Sequence, residues 1–327
     1  MSVPIVTIFG GSGFIGRYVA QRMARAGWRV RVAVRRPDEA YFVRPYGVVG
    51  QVEPIQANVR DEASTRRAIR GADAVINCVG VLAEAGPQSF EALMDEGAGR
   101  IARIAAEEGV GRLAHVSAIG ADPGSDSRYA AAKGRGEVAV RAAFPAAVIL
   151  RPSVVFGSED AFFNRFARMA LLSPVLPLVG ADTRFQPVYV DDVAAAAETA
   201  VTGEVEPGVY ELGGPEAASF RELMRRMLAI IRRRRRIVAL PLPLARLVAG
   251  VGDFVSRLTR GLVAGPLTGD QIRQLSRDNV VAAGARGLGE LGVGATPMQA
   301  VLESYLYAYR PAGQYTEIQE SALRMRT

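Results

Sequence analysis

Pro4-Ile5-Val6-Thr7-Ile8-Phe9-Gly10-Gly11-Ser12-Gly13-Phe14-Ile15-Gly16 passes from a β-favouring apolar run into a glycine turn and then a helical pattern that lasts to Gly27. A Gly-x-x-Gly-x-x-Gly spacing between strand and helix suits the pyrophosphate of a dinucleotide. Glycine allows the tight turn and the close approach of backbone to phosphate, and the helix N-terminus offers donors and the positive end of a dipole. The turn nominates Gly10, Ser12, Gly13, Phe14, Ile15 and Gly16 as cofactor-binding residues, and Arg17 in the first helical turn as a candidate for a 2′-phosphate alongside Arg35 and Arg36.

Outward from that unit the rhythm repeats. Strands are predicted at 29–34, 52–56, 74–78, 113–117 and 147–151, and helices near 62–70, 90–108 and around Tyr129. Parallel strands need crossover connections, so the alternation predicts an α/β fold, a Rossmann-type doubly wound parallel sheet. The rhythm breaks near residue 155. Residues 1–155 are expected to form the nucleotide-binding core and 156–310 a smaller, helix-rich lobe, interleaved with late sheet strands near 186–213; residues 311–327 read as a tail.

One cysteine, Cys78, excludes internal disulfides and cysteine-rich metal sites, and one histidine, His115, excludes the triads and zinc sites that need several imidazoles. No metal site is expected. No segment has the roughly 20 uninterrupted apolar residues of a spanning helix. An apolar strand by residue 5 predicts a chain without a leader, retained in the cytosol. The net charge of +7 and pI near 9.9 suit an anionic partner: a nucleotide, phospholipid head groups or an acidic protein surface. Nucleic acid is not expected, because no recognition-helix or aromatic RNA-binding pattern accompanies the charge.

Of the 40 basic residues only Lys133 is lysine, and it stands four residues after Tyr129. Positions i and i+4 share a helix face, and a compact ammonium can reach a ribose hydroxyl while lowering a neighbouring phenol's pKa. The pair predicts a nucleotide-dependent redox site. Arg35 and Arg36 follow the second strand, where an NAD-preferring protein usually places an acid. Two guanidiniums there suit a 2′-phosphate, so NADP(H) is expected over NAD(H).

With the glycine turn, Asn58-Val59-Arg60-Asp61, Asn77-Cys78-Val79-Gly80, Ser117 and Tyr129/Lys133, the chain resembles the short-chain dehydrogenase/reductase superfamily, in its extended and atypical branches. The resemblance implies Asn58 and Val59 at the adenine, with Asn58 replacing the aspartate common there, and Val79 and Gly80 beside the cofactor ribose. It also implies a catalytic set in which Ser117 bonds the substrate oxygen, Tyr129 is the general acid or base, and Lys133 holds the ribose. More specific stretches are His115-Val-Ser-Ala-Ile-Gly-Ala-Asp122, Arg151-Pro-Ser-Val-Val-Phe-Gly157 with Glu159-Asp160-Ala-Phe-Phe-Asn164, Gln186-Pro-Val-Tyr-Val-Asp-Asp-Val193 and Asp278-Asn-Val-Val281. Over roughly 4–310 these resemble the nucleotide-binding accessory subunits of respiratory complex I and their bacterial relatives. That implies a structural NADP(H), a place at the cytoplasmic side of the bacterial inner membrane, and Pro152 and Val154 near the nicotinamide carboxamide. The intact Ser117/Tyr129/Lys133 set keeps open a free NADP(H)-dependent reductase, epimerase or dehydratase; a third expectation is a regulator that senses NADP(H) without chemistry.

In the second lobe, apolar residues repeat at three and four from Leu244 to Leu262, which predicts an amphipathic helix. Just before it stand Arg232, Arg233, Arg234, Arg235 and Arg236. Both features suit an anionic lipid surface or a partner subunit. A helix packed into its own domain, preceded by a solvated helix end, accounts for the same pattern.

Overall fold

A computed structural model describes residues 3–84, 86–241, 269–311 and 313. The expected amphipathic helix at 244–262 and most of the tail from 311 lie outside the described residues. In chain order the first elements are β1 (Ile5–Phe9), α1 (Phe14–Arg25), β2 (Arg29–Val34), β3 (Val52–Gln56), α2 (Glu62–Ile69) and β4 (Ala74–Asn77). Next come α3 (Glu96–Glu107, opened by a π turn at Glu91–Asp95), β5 (Arg112–Val116), α4 (Arg128–Ala143) and β6 (Val148–Pro152). Then follow β7 (Val155–Phe156), α5 (Phe163–Leu172), β8 (Val175–Val179), β9 (Arg184–Phe185), β10 (Val188–Tyr189) and α6 (Val190–Thr202). The last are β11 (Gly208–Leu212), β12 (Ala218–Ser219), α7 (Phe220–Ile230), β13 (Arg236–Leu240), α8 (Gly269–Leu275) and α9 (Met298–Leu306).

Seven parallel strands form one sheet in the order β11-β6-β5-β4-β1-β2-β3. The Rossmann-type parallel sheet expected from the sequence is therefore present. Its central strands read as apolar runs because both faces are covered: Val6, Ile8 and Phe9 of β1 and the whole of β4 are buried. Thr7 is tolerated there because its hydroxyl donates to the Ala68 carbonyl at 2.7 Å. Of the later strands, β11 joins this sheet beside β6, whereas β10 pairs with β7.

The chain divides into two compact units. The first comprises residues 1–153, 190–213 and 281–295. Within it the Arg22 guanidinium of α1 grips Asp191 of α6 with two bonds of 2.8 and 2.7 Å and reaches Glu198 at 3.2 Å. The returning segment is fastened by the Ala282 N–H, which donates to Glu211 of β11 at 2.8 Å.

The second unit comprises 154–189, 214–280 and 296–327. Phe156, Phe163, Phe185, Phe220, Met224 and Leu302 lie in its core, and Phe162 stacks on Phe220 with centroids 5.5 Å apart. Two buried polar groups near the start of α5 are closed by tyrosines: Tyr305 donates to Asp160 Oδ2 at 2.5 Å, and Tyr309 to Asn164 Oδ1 at 2.8 Å. α7 opens on a capping box in which Ser219 and Glu222 satisfy each other's backbone N–H groups.

Candidate functional site

The glycine turn lies between β1 and α1, and β1 sits where the strand order reverses, with β2 on one side and β4 on the other. In open parallel sheets that reversal opens a crevice at the C-terminal strand ends. Gly10 has φ +71°, a conformation that side chains disfavour, and its N–H donates to the Ala33 carbonyl at 3.1 Å. A Cβ on Gly16 would collide with the Gly10 carbonyl and Gly11 Cα, so α1 is seated directly against the turn. Gly13 caps α1 without a side chain and no acid stands in the first turn. The first N–H groups of the helix thus lack an internal acceptor and stand at the positive end of its dipole, as binding an anion requires.

From the turn, close contacts run across four strand ends. A Cβ on Gly10 would lie 3.1 Å from the Cys78 carbonyl, so the turn abuts the segment holding Val79 and Gly80. That segment is fixed by Asn77, whose Oδ1 accepts the Val79 N–H at 3.0 Å and whose amide pairs with the His115 ring at 3.0 Å. A Cβ on Gly80 would lie 3.6 Å from Lys133 Nζ. Lys133 is only 3% exposed and donates to the Val116 carbonyl at 2.9 Å. Beyond it, the Ser117 N–H donates to Leu150 O at 2.7 Å and the Ile119 N–H to Pro152 O at 3.0 Å. Ser117 Oγ is buried with no hydrogen-bond partner, an unusual state for a hydroxyl and one that a ligand would relieve.

Burial pulls the Lys133 ammonium down to about 8, opposed by the charge of Glu137. Burial also pushes the Tyr129 phenol up to about 12. The lowering of Tyr129 by Lys133 expected from the i,i+4 spacing is therefore not present in this state. The physical reason is the ammonium's position on the Val116 carbonyl, while Tyr129, half-buried, packs edge-on against Phe90 with centroids 5.7 Å apart. His115 is buried and falls to about 3, so the ring stays neutral, and burial lifts the Cys78 thiol to about 12.

Farther along the sheet, Arg17 donates to the carbonyls of Gly13 and Ser12 at 3.3 and 3.2 Å, and its guanidinium stacks 4.9 Å from the centre of the Phe42 ring. Arg35 is exposed and makes no side-chain bond among the described residues; Arg36 pairs with the exposed Glu39 at 2.8 Å. Asn58 Oδ1 is occupied by the Arg60 N–H at 3.1 Å, and the carbonyl of buried Val59 accepts from Arg100 at 2.6 Å. Val154 belongs to the second unit, where its N–H donates to Asn279 Oδ1 at 3.1 Å.

Two features of this region escaped the sequence. The 3₁₀ helix Pro37–Tyr46 that supplies Phe42 carries a readable signal, a proline at its start with Asp38 and Glu39 in the first turn. Glu137 lies one turn beyond Lys133, is 2% exposed, and holds Arg151 of β6 through bonds of 2.9 and 2.6 Å. Only the i,i+4 spacing from Lys133 hinted at its buried position. No cluster of His, Cys, Asp or Glu suited to a metal occurs among the described residues. The close-approach glycines, open helix donors and unsatisfied Ser117 hydroxyl fit a dinucleotide chemically.

A model of the NAD dependent epimerase/dehydratase family matches residues 6–213. The chain belongs to that family. It is 35% identical to NADH dehydrogenase (ubiquinone) 1 alpha subcomplex subunit 9, mitochondrial, of Arabidopsis thaliana, over 94% of this chain and 79% of that one. The NADH-ubiquinone oxidoreductase 40 kDa subunit of Neurospora crassa is 31% identical over 94% of this chain and 80% of its own. A ceramide reductase of Caulobacter vibrioides is 32% identical over 78% of this chain and 79% of its own. Among solved structures, the Thermus thermophilus UDP-glucose 4-epimerase in complex with NAD shares the fold with a TM-score of 0.68, at 19% identity over 94% of this chain and 99% of that one.

Proposed function

We propose that this chain is an NADP(H)-binding accessory subunit of a bacterial respiratory complex I, the NADH:ubiquinone oxidoreductase. It attaches peripherally at the cytoplasmic side of the inner membrane and retains its nucleotide as a structural element. The observation that carries this reading is the similarity over 94% of the chain to relatives named as subunits of that complex in a plant and a fungus. Among the described residues no helix is long and apolar enough to cross a membrane, which is compatible with peripheral attachment.

In this reading the turn from Gly10 to Gly16 cradles the pyrophosphate, Asn58 and Val59 border the adenine, and Val79, Gly80 and Lys133 hold the ribose. Pro152 borders the carboxamide, and Val154 keeps its assignment there from the sequence resemblance alone. Arg35 has no competing partner among the described residues and Arg36 only an exposed one, a pairing of little worth that a 2′-phosphate can displace.

The unpartnered Ser117 hydroxyl favours a second reading, a free NADP(H)-dependent reductase, epimerase or dehydratase. The nicotinamide of a bound cofactor would exchange hydride with the substrate. Ser117 would then bond the substrate oxygen, and Tyr129, protonated at neutral pH, would give that oxygen a proton. Lys133 would leave the Val116 carbonyl for the ribose.

Fractionation of gently solubilised native membranes separates the two. Recovery with NADH:ubiquinone oxidoreductase, with stoichiometric NADP(H) released on denaturation, is the expected result. Recovery as a small soluble species with exchangeable nucleotide would replace the subunit reading with the enzyme.

A further inference from the structure

We propose that the second unit carries a docking surface for anionic phospholipid, formed by an arginine groove with an apolar lip. The inference rests on neither the nucleotide nor the complex I reading. The groove, about 1120 Å³, is lined by Arg221 and Arg225 of α7, all five arginines at 232–236, and Pro174 and Val175. No Asp or Glu lines it among the described residues. So many like charges in one groove repel unless water or an anion neutralises them.

Among the described residues, three of these guanidiniums are left open. Arg225, Arg234 and Arg236 make no side-chain hydrogen bond or ion pair among the described residues, and Arg221 has only the exposed Asp182 at 3.6 Å. Arg233 and Arg235 are positioned by backbone oxygens, donating to Tyr309 O at 2.9 Å and Ala170 O at 2.8 Å.

Arg232 is the telling residue. α7 ends in a Schellman turn, with the Arg232 N–H on Ala229 O at 3.1 Å and the Arg233 N–H on Leu228 O at 3.1 Å. That turn places Arg232 at φ 52°, the sole positive φ of a non-glycine residue among those described. Glycine is the unstrained choice at such a site. The chain contains 35 glycines and nevertheless sets an arginine here.

The lip identifies the occupant. α5 ends in Leu171 and Leu172, 41% and 91% exposed, immediately before Ser173 and the groove residue Pro174. The Arg236 N–H donates to the Pro174 carbonyl at 3.0 Å, which joins lip to groove. Exposed leucines beside guanidiniums match the acyl boundary and head groups of an anionic leaflet. A soluble phosphate would make no use of the leucines.

Co-flotation of the full chain with vesicles tests the surface. Binding is expected to vesicles containing phosphatidylglycerol and not to phosphatidylcholine alone. Arg225→Gln/Arg234→Gln/Arg236→Gln should weaken it about 100-fold, whereas Arg25→Gln/Arg112→Gln/Arg141→Gln, with the same loss of charge, should change it by no more than about threefold. Arg232→Gly should hold or raise the melting temperature while weakening binding, two effects that misfolding cannot produce together. Equal binding by the groove triple and wild type overturns the proposal. So does displacement by inorganic phosphate at constant ionic strength with no effect of Leu171→Ser/Leu172→Ser, which would make the groove a site for a soluble anion.

Discussion

In the first unit Ser117 Oγ, His115 Nε2 and Arg60 Nε lie buried without a hydrogen-bond partner; in the second, Asp160 and Asn164 are each closed by a tyrosine hydroxyl. All the unpartnered buried side-chain atoms among the described residues belong to the first unit. A buried polar group left open costs stability, and one closed by a partner returns most of that cost. The first unit therefore carries polar capacity that a ligand can fill, and the second has used its own as internal fastening. The second unit leaves its charge on the outside instead.

The largest effect that would sharpen this contrast concerns the cofactor. Arg35→Ala/Arg36→Ala should weaken NADPH binding by about 100-fold and NADH binding only slightly, as read by titration calorimetry. The groove triple in the second unit should leave both affinities unchanged. Equal losses of NADPH and NADH would place the 2′-phosphate elsewhere.

Opening the fastening of the second unit comes next. Tyr305→Phe deprives Asp160 of its shortest donor and leaves it the N–H groups of Gly157 and Asn164. The expected loss is about 2 kcal/mol in urea unfolding, with no change in NADPH affinity. A change of less than about 0.5 kcal/mol would remove the distinction between filled and open polar groups.

A smaller effect, of opposite sign, is expected at Lys133. Its ammonium is held at about 8 against an ordinary 10.5, so between those values the unfolded chain binds the extra proton and stability rises with pH. Below 8 the buried charge is at full cost. Nucleotide-free Lys133→Met should accordingly melt above wild type at pH 7, show no rise between pH 8 and 10, and lose most of the stabilisation that NADPH gives. A variant that melts below wild type at pH 7 would mean that the bond to Val116 outweighs desolvation.

The smallest effect is the sharpest test of an open group. Ser117→Ala removes a hydroxyl that bonds nothing, so the melting temperature should move by no more than about 1 °C, because no partner is lost. A fall of several degrees would show that the hydroxyl is already satisfied.

The sheet was legible because parallel strands covered on both faces must be apolar throughout, and the glycine turn because few other residues fit at Gly10 and Gly16. Lys133 was legible through arginine's near monopoly of the basic residues. The two-residue strands β7, β9, β10 and β12 are too short to show a period, and the return of 281–295 to the first unit depends on contacts with distant strands. The Glu137–Arg151 pair was hidden for the same reason. The raised Tyr129 pKa of the nucleotide-free chain was not legible, because spacing gives a shared face and says nothing about which carbonyl an ammonium chooses.

A lysine-specific endoprotease has a single internal target in this chain, the bond from Lys133 to Gly134, and that bond lies within α4 with its side chain buried. Cleavage must wait for the helix to open, so the rate at which the chain falls into two fragments is a label-free clock for the opening of the nucleotide-binding unit. A bound nucleotide that engages the ammonium should slow that clock.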